Sequence, residues 1–293
     1  MDVLVLGGTS FVGRWIVQDL LDHGHTPTLF TRGKTGADLF PGTSRAFGDR
    51  ATGDYVSLAG STWDAVVDVS AYVPRHVAEA GAAVKAGRYL LISTVSVYDH
   101  TAAGDGITED SPLLPEVRDT EVVDGASYGG LKVACERDVS AMYGDQTTIV
   151  RPGIVAGPYD PTDRFTYWTR AEGTVDVPGR LDQPVQVVDA RDLARLTVQL
   201  LERDLPGTYN GVGPHPPVTL GELVTACGAS EVREVELNPG YPLVLPDPSA
   251  DPLFRASGAR ALEVGMPTTP LAQTAADTRA WDVERGRPEI PLP

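Results

Sequence analysis

Val3-Leu-Val-Leu6, then Gly7-Gly8-Thr9-Ser10-Phe11-Val12-Gly13, then the helical pattern Phe11 to Leu21 form the stretch that decides the fold. The short apolar run reads as a strand buried on both faces, and the glycines between strand and helix read as a phosphate-binding turn. Glycine at 7 permits the tight turn, glycine at 13 lets helix and strand pack closely, and free backbone N–H groups at the helix start face an anion. A pyrophosphate fits there, which makes Gly7, Thr9, Ser10, Phe11, Val12 and Gly13 candidate cofactor-binding residues. Ser10 occupies the middle glycine position of the fingerprint, and Gly8 is the residue expected to compensate for it. A glycine-rich turn that binds nothing is the competing reading.

Outward from this loop, strand-like and helical patterns alternate. Gly24 ends the first helix and His25 to Thr31 forms a second strand. Ala65 to Val69, Tyr89 to Ile92 and Thr147 to Val150 repeat the short apolar run, with a helical stretch at Val77 to Ala86. Such alternation implies a doubly wound parallel α/β sheet with helices on both faces. After Arg151-Pro152 the pattern loosens. A helix returns at Asp189 to Leu201, Thr219 caps another, and Asn238 to Asp251, with its prolines, reads as an extended loop. The expected organisation is a Rossmann domain over residues 1–160, to which 185–212 returns, and a smaller C-terminal substrate lobe over 161–293.

Composition narrows the function classes. The 293 residues are 42% hydrophobic, enough for two cores. The net charge is -16 and the lysines are Lys34, Lys85 and Lys132, so attraction to a polyphosphate backbone is weak and no nucleic-acid partner is expected. No apolar run is long enough to span a membrane, and the amino terminus enters a strand pattern at once. Cys135 and Cys227 lack a partner motif and suit a reducing compartment, so the expected location is cytoplasmic. A monomer or homodimer acting on a small-molecule substrate is the expected form.

The second strand ends in Thr31-Arg32-Gly33-Lys34, where an acid usually holds the ribose 2′-hydroxyl. Arg32 and Lys34 suit a 2′-phosphate instead, which favours NADP over NAD; a solvated loop is the alternative. Asp49 is a candidate acceptor for the adenine amino group, although an Asp in a Gly-Asp turn requires no ligand.

Tyr128-Gly-Gly-Leu-Lys132 sets a phenol and an ammonium one helical turn apart. With ten tyrosines and three lysines, this spacing is expected by chance only about 0.1 times, so it is informative. A free tyrosine, with a pKa near about 10, is a poor proton carrier at neutral pH, and an adjacent cation lowers it. Lys132 is the residue expected to supply that charge. Thr94, where the strand Tyr89 to Ile92 runs out at the carboxyl end of the sheet, can hydrogen-bond a reacting oxygen and orient it toward Tyr128, with Ser93 as the second choice.

Together these pieces resemble the short-chain dehydrogenase/reductase superfamily, specifically its extended or atypical branch of NAD-dependent epimerases and dehydratases. The resemblance also rests on Ser93-Thr-x-x-Val-Tyr98, Thr108-Glu-Asp-Ser-Pro112, Val150-Arg-Pro-Gly-Ile-Val-Ala-Gly-Pro158 and Val187-Val-Asp-Ala-Arg-Asp-Leu-Ala194. It implies Thr94 as the catalytic Ser/Thr, Tyr128 as general acid/base, Lys132 as the lysine that also holds the nicotinamide ribose, and Ser70 and Ala71 as cofactor contacts. The glycine loop and Leu29-Phe-Thr-Arg-Gly-Lys34 are similar, more narrowly, to the chloroplast stem-loop RNA-binding proteins and their bacterial relatives. In sugar-nucleotide 4,6-dehydratases an Asp-Glu pair follows the catalytic threonine, whereas Val95 and Ser96 stand here, so dehydration is disfavoured. An NADP(H)-exchanging reductase is preferred, with an NAD-dependent sugar-nucleotide epimerase and a noncatalytic NADP- or RNA-binding protein as alternatives.

Other features have plainer readings. His23 and His25 flank a helix-to-strand turn without carboxylates at metal-ligand spacing, and His76, His100 and His215 stand alone. Cys135 reads as a core thiol. The acidic stretch from Asp105 to Asp124 is a solvated loop or a lid. Arg164, Arg170 and Arg180 lie in the substrate lobe, where holding a phosphate or carboxylate and lying idle on the surface are equal readings.

Overall fold

The computed structural model describes residues 1–104, 106–214 and 216–291. The amino-terminal run forms β1 (Asp2–Leu6), α1 (Phe11–Asp22), β2 (Thr26–Thr31), β3 (Ser44–Phe47), β4 (Thr62–Asp68), α2 (Pro74–Ala83) and β5 (Lys85–Ile92). It continues through α3 (His100–Ala103), α4 (Tyr128–Tyr143), β6 (Thr147–Pro152), β7 (Ile154–Ala156), α5 (Arg164–Thr169), β8 (Gly173–Val177), β9 (Pro184–Val185) and β10 (Val187–Asp189). The remainder is α6 (Ala190–Glu202), β11 (Gly207–Gly211), β12 (Val218–Thr219), α7 (Leu220–Ala226), β13 (Ala229–Glu234), α8 (Ala259–Glu263) and α9 (Leu271–Glu284).

Seven strands pair in the order β11-β6-β5-β4-β1-β2-β3, all parallel. The winding direction reverses between β1 and β4, and a sheet of this kind opens a crevice at the carboxyl ends beside that reversal. Alternation within strands explains the layers: Val3 and Val5 face α1 and α6 with Ile16, Val17, Leu193 and Leu196. Leu4 and Leu6 face Val77 and Ala80 of α2 and Cys135 and Val139 of α4. The architecture is the Rossmann α/β sheet.

The helix read at Val77 to Ala86 is displaced, because Pro74 occupies its first turn, where its missing N–H costs nothing, and Lys85-Ala86 already belong to β5. The Asn238 to Asp251 stretch is not wholly extended: Asp247 caps a 3-10 turn at Pro248–Phe254 by accepting from Ser249 N. C-terminal to the sheet, Phe165, Trp168, Val177, Leu220, Leu223 and Val224 build a separate core. Among the described residues no helix is long and apolar enough to cross a membrane.

Candidate active site

β1 delivers the chain into the turn at Gly7, whose φ of 100° belongs to the region that favours glycine and where a Cβ would stand 3.0 Å from the Ser70 side chain. At Gly13 a Cβ would lie 2.0 Å from the Gly7 carbonyl oxygen, so only glycine lets α1 start directly over the strand end. Phe11 enters α1 at φ 32°, an uncommon conformation for a bulky residue and one that concentrates strain at this junction. Gly8 does not compensate for Ser10. A Cβ there would meet Val17 and Leu29 at 2.7 and 3.0 Å, so Gly8 serves core packing, while Ser10 is an exposed helix N-cap.

At the end of β2, Arg32 and Lys34 project as exposed side chains, and neither has a carboxylate within ion-pair distance among the described residues. Asp49 Oδ1 accepts from Ala51 N at 3.0 Å, closing a local turn beside them. The next residue was not singled out by sequence reasoning. Arg50 is buried and makes a bidentate pair with Asp68 at 2.5 and 2.8 Å, while donating to Ser70 Oγ at 2.9 Å and His76 O at 2.9 Å. Tyr89 donates to the same carboxylate at 2.5 Å, and Ser70 Oγ donates to Leu6 O at 3.1 Å. Burial alone would raise the Asp68 carboxyl, but the Arg50 charge and the Arg50 and Tyr89 hydrogen bonds hold it below the usual carboxylate range. The signal in the sequence is an acid ending the apolar run Ala65-Val-Val-Asp68, which demands a buried cation without saying which one.

Across the sheet, Asp124 Oδ1 accepts from Ala126 N and Ser127 N at 3.0 and 2.9 Å and sets the start of α4 at Tyr128. A Cβ on Gly129 would lie 2.2 Å from Ser96 O, and one on Gly130 2.8 Å from Pro115 O. These two glycines therefore let the first turn of α4 lie against the segment after β5, which carries Tyr128 to Thr94. Ser93 donates to Glu136 Oε1 at 2.5 Å inside the buried Arg151–Glu136 pair, so its hydroxyl is committed to the core. Thr94 Oγ1 accepts from Ser96 N at 3.1 Å and donates to Ser96 Oγ at 3.1 Å, and it lines the same cleft as the Tyr128 phenol. Lys132 is buried, with Nζ donating to Ala71 O at 2.7 Å and Ile92 O at 2.8 Å.

Burial pushes the Tyr128 phenol above the ordinary tyrosine range; Tyr72 adds to this, while the Thr94 hydrogen bond and the Arg164 charge oppose it. Burial likewise pushes the Lys132 ammonium below the ordinary lysine range. The Lys132 ammonium is anchored by two backbone carbonyls one helical turn from Tyr128, on the same helix. Cys135, its thiol pushed up to about 11 by burial, is a core residue.

These groups share one cleft of about 720 Å³ at the strand ends. It is lined by Gly7, Thr9, Ser10, Phe11 and Val12 of the loop, by Arg32, Lys34, Asp49 and Ser70, and by Thr94, Tyr128 and Lys132. Gly13 supports the loop from beneath, and Ala71 reaches the site through its carbonyl to Lys132. The C-terminal lobe adds Asp160, Thr162 and Arg164. Arg170 and Arg180 do not enter it: the former pairs with Asp282 at 2.7 Å, the latter with Asp251 at 2.5 Å. His23 bonds Asp19 O, and His25 bonds Glu202 and the amino terminus. Among the described residues no group of His, Cys, Asp and Glu could hold a metal. Asp105 and His215 lie outside the described residues.

The wound sheet with a glycine-rich turn at the switch point is the architecture in which α/β folds place dinucleotide sites. The chain belongs to the NAD-dependent epimerase/dehydratase family, whose pattern it matches over residues 3–211. It is similar to the chloroplast stem-loop binding protein of 41 kDa b of Arabidopsis thaliana, 29% identical over 262 residues, which cover 81% of this chain and 66% of that relative's length. Among solved structures it is similar to the Bordetella bronchiseptica enzyme WbmH in complex with NAD+, with a TM-score of 0.69 and 19% identity over 97% of this chain and 99% of that one. A UDP-glucuronic acid 4-epimerase from Bacillus cereus in complex with NAD gives a TM-score of 0.70 at 16% identity over 97% and 99%. At these identities the structural likeness establishes the fold.

Proposed function

We infer that the chain is an NAD(P)-dependent oxidoreductase that interconverts a carbonyl and an alcohol on a small polar molecule, with Tyr128 as the general acid/base. One observation carries this reading: Thr94, Tyr128 and Lys132 line the same cleft as the glycine loop. The loop at Gly7 and Gly13 leaves no room for side chains and offers backbone N–H groups to a pyrophosphate. Lys132 would hold the nicotinamide ribose, and Arg32 with Lys34 a 2′-phosphate. When bound, the dinucleotide supplies or accepts the hydride. Thr94 orients the substrate oxygen, and Tyr128 donates its phenolic proton to that oxygen on reduction, leaving a phenolate that regains a proton from solvent.

Because Arg32 and Lys34 have no carboxylate partner among the described residues, NADPH should bind more tightly than NADH by about 1–3 kcal/mol, a preference lost in Arg32→Ala. Titration of both cofactors by tryptophan fluorescence measures it. Equal affinities in the wild type would remove the 2′-phosphate assignment.

Two other readings have specific support. Neighbours solved with NAD favour an epimerase, which would retain its dinucleotide through purification; mass spectrometry of the isolated protein separates it from a reductase that exchanges NADPH. The name of the Arabidopsis relative favours RNA binding. With a net charge of -16, this chain should give no saturable complex with a stem-loop RNA at physiological salt, and a submicromolar one in a filter-binding assay would reverse that ranking.

A further inference from the structure

The segment between β7 and α5 carries Asp160 and Thr162 to the cleft, and Arg164 follows at the start of α5. Its backbone does not hold itself. Tyr159 at φ 73° and Asp163 at φ 55° are non-glycine residues in the left-handed region, a conformation that persists only where the surroundings fix it. In both cases the fixing groups come from distant parts of the chain. Arg285, just past the end of α9, donates to Asp163 Oδ1 at 2.5 Å.

Tyr159 is held by a stack of side chains. The Arg14 guanidinium lies over its ring, 3.6 Å from the centroid, the Trp15 ring approaches at 5.7 Å, and the Trp281 ring meets it edge-on at 5.6 Å. Trp15 Nε1 also donates to Pro158 O at 3.3 Å, and Arg285 lies over the Trp281 ring at 4.1 Å. In a chain with 40 acids, Arg14 has no carboxylate within ion-pair distance among the described residues, so its partner is the face of the Tyr159 ring. The stack joins three elements: α1, the segment that lines the cleft, and α9. Arg14 and Trp15 sit one turn into the helix that begins at the glycine loop, while Arg14, Trp15, Tyr159 and Trp281 all lie outside the cleft lining.

We propose that Tyr159 is a positioning residue that ties the C-terminal wall of the cleft, residues 160–164, to α1, so that filling the glycine loop steadies that wall and α9. This rests on the dinucleotide site of the proposed function and adds that the two sides of the cleft are linked. An anion on the loop N–H groups orders the first turn of α1, where Phe11 stands at φ 32°, and α1 presents Arg14 and Trp15 to Tyr159. Such coupling is reciprocal, so loosening the stack weakens binding at the loop.

The test is hydrogen exchange read by mass spectrometry on the full chain, free and saturated with NADP+ or with ADP, which carries a diphosphate and no nicotinamide. The decisive peptides are those of α9, because none of its residues lines the cleft. In the wild type both ligands should slow exchange there about fivefold. Tyr159→Phe keeps the ring and should keep the response. Tyr159→Asn suits the left-handed backbone and removes the ring; it should lose the response in α9 and bind NADP+ about fivefold less tightly. Arg14→Met attacks the stack from α1 and should act in the same direction, which covers a folding defect at position 159 detected by circular dichroism. A purely structural stack would leave the ligand-induced slowing intact on a faster baseline. Unchanged α9 exchange in the saturated wild type overturns the proposal, as does slowing that persists in Tyr159→Asn or Arg14→Met. Failure of the dinucleotide reading is distinct: neither ligand binds the wild type in a direct titration, and the coupling falls with it.

Discussion

Tyr128→Phe is expected to slow the chemical step about 10²- to 10⁴-fold while folding and dinucleotide affinity persist. The substitution removes one oxygen from a half-buried side chain and keeps its ring. Burial holds the phenol protonated beyond the ordinary tyrosine range, against the opposing effect of Thr94 and Arg164. The sign follows from the protonation state each direction needs. Reduction uses the neutral phenol, so its rate should stay level through neutrality and fall only above about 10. Alcohol oxidation uses the phenolate and should rise with pH over the same range. Single-turnover reduction of a carbonyl panel by NADPH, and oxidation of the matching alcohols by NADP+, each across pH for wild type and variant, measure these effects. Lys132→Ala should do broader damage, because it leaves the Ala71 and Ile92 carbonyls without their donor as well as removing the ribose contact. Wild-type turnover by Tyr128→Phe would make Tyr128 a structural residue.

How much of this was legible depended on range along the chain. The β1 turn and the Tyr128 to Lys132 face were readable because their spacing is local: a strand, a tight turn and one helical turn are each fixed by neighbouring residues. The misreading of Gly8 came from the same locality, since its requirement is set by Leu29 on the adjacent strand. Gly129 and Gly130 look like poor helix residues in isolation, and their role emerges only against Ser96 O and Pro115 O. Three arginines of the C-terminal lobe were indistinguishable in sequence. Asp282 and Asp251, distant along the chain, claim two of them and leave Arg164 to the cleft. Helical spacing put Lys132 on the face of Tyr128, whereas the carbonyls that anchor its ammonium, those of Ala71 and Ile92, come from segments distant along the chain and were not legible.

Asp68→Asn is expected to destabilise the protein by about 3–5 kcal/mol, the cost of stranding a buried guanidinium. Asp68 is fully buried, and its two oxygens hold Arg50, Tyr89 Oη and Ser70 N. Arg50 in turn ties Ser70, which reaches Leu6 O at the mouth of the phosphate loop. The damage should therefore include weaker dinucleotide binding as well as a lower unfolding midpoint. The pH dependence has a definite sign. The folded carboxyl lies below its unfolded value, so the stability it contributes is present above the ordinary carboxylate pKa of about 4 and is lost as pH falls through the lower folded value. The gap between wild type and Asp68→Asn should accordingly narrow in acid, as the wild type protonates the same group. Replacing both partners, Arg50→Met with Asp68→Leu, should recover much of the loss, because it removes the stranded charge together with its counter-ion. Denaturant unfolding of the single and double variants at neutral and acidic pH gives the cycle. A wild-type midpoint for Asp68→Asn at neutral pH would show that Arg50 finds another partner and that the pair does not hold the loop.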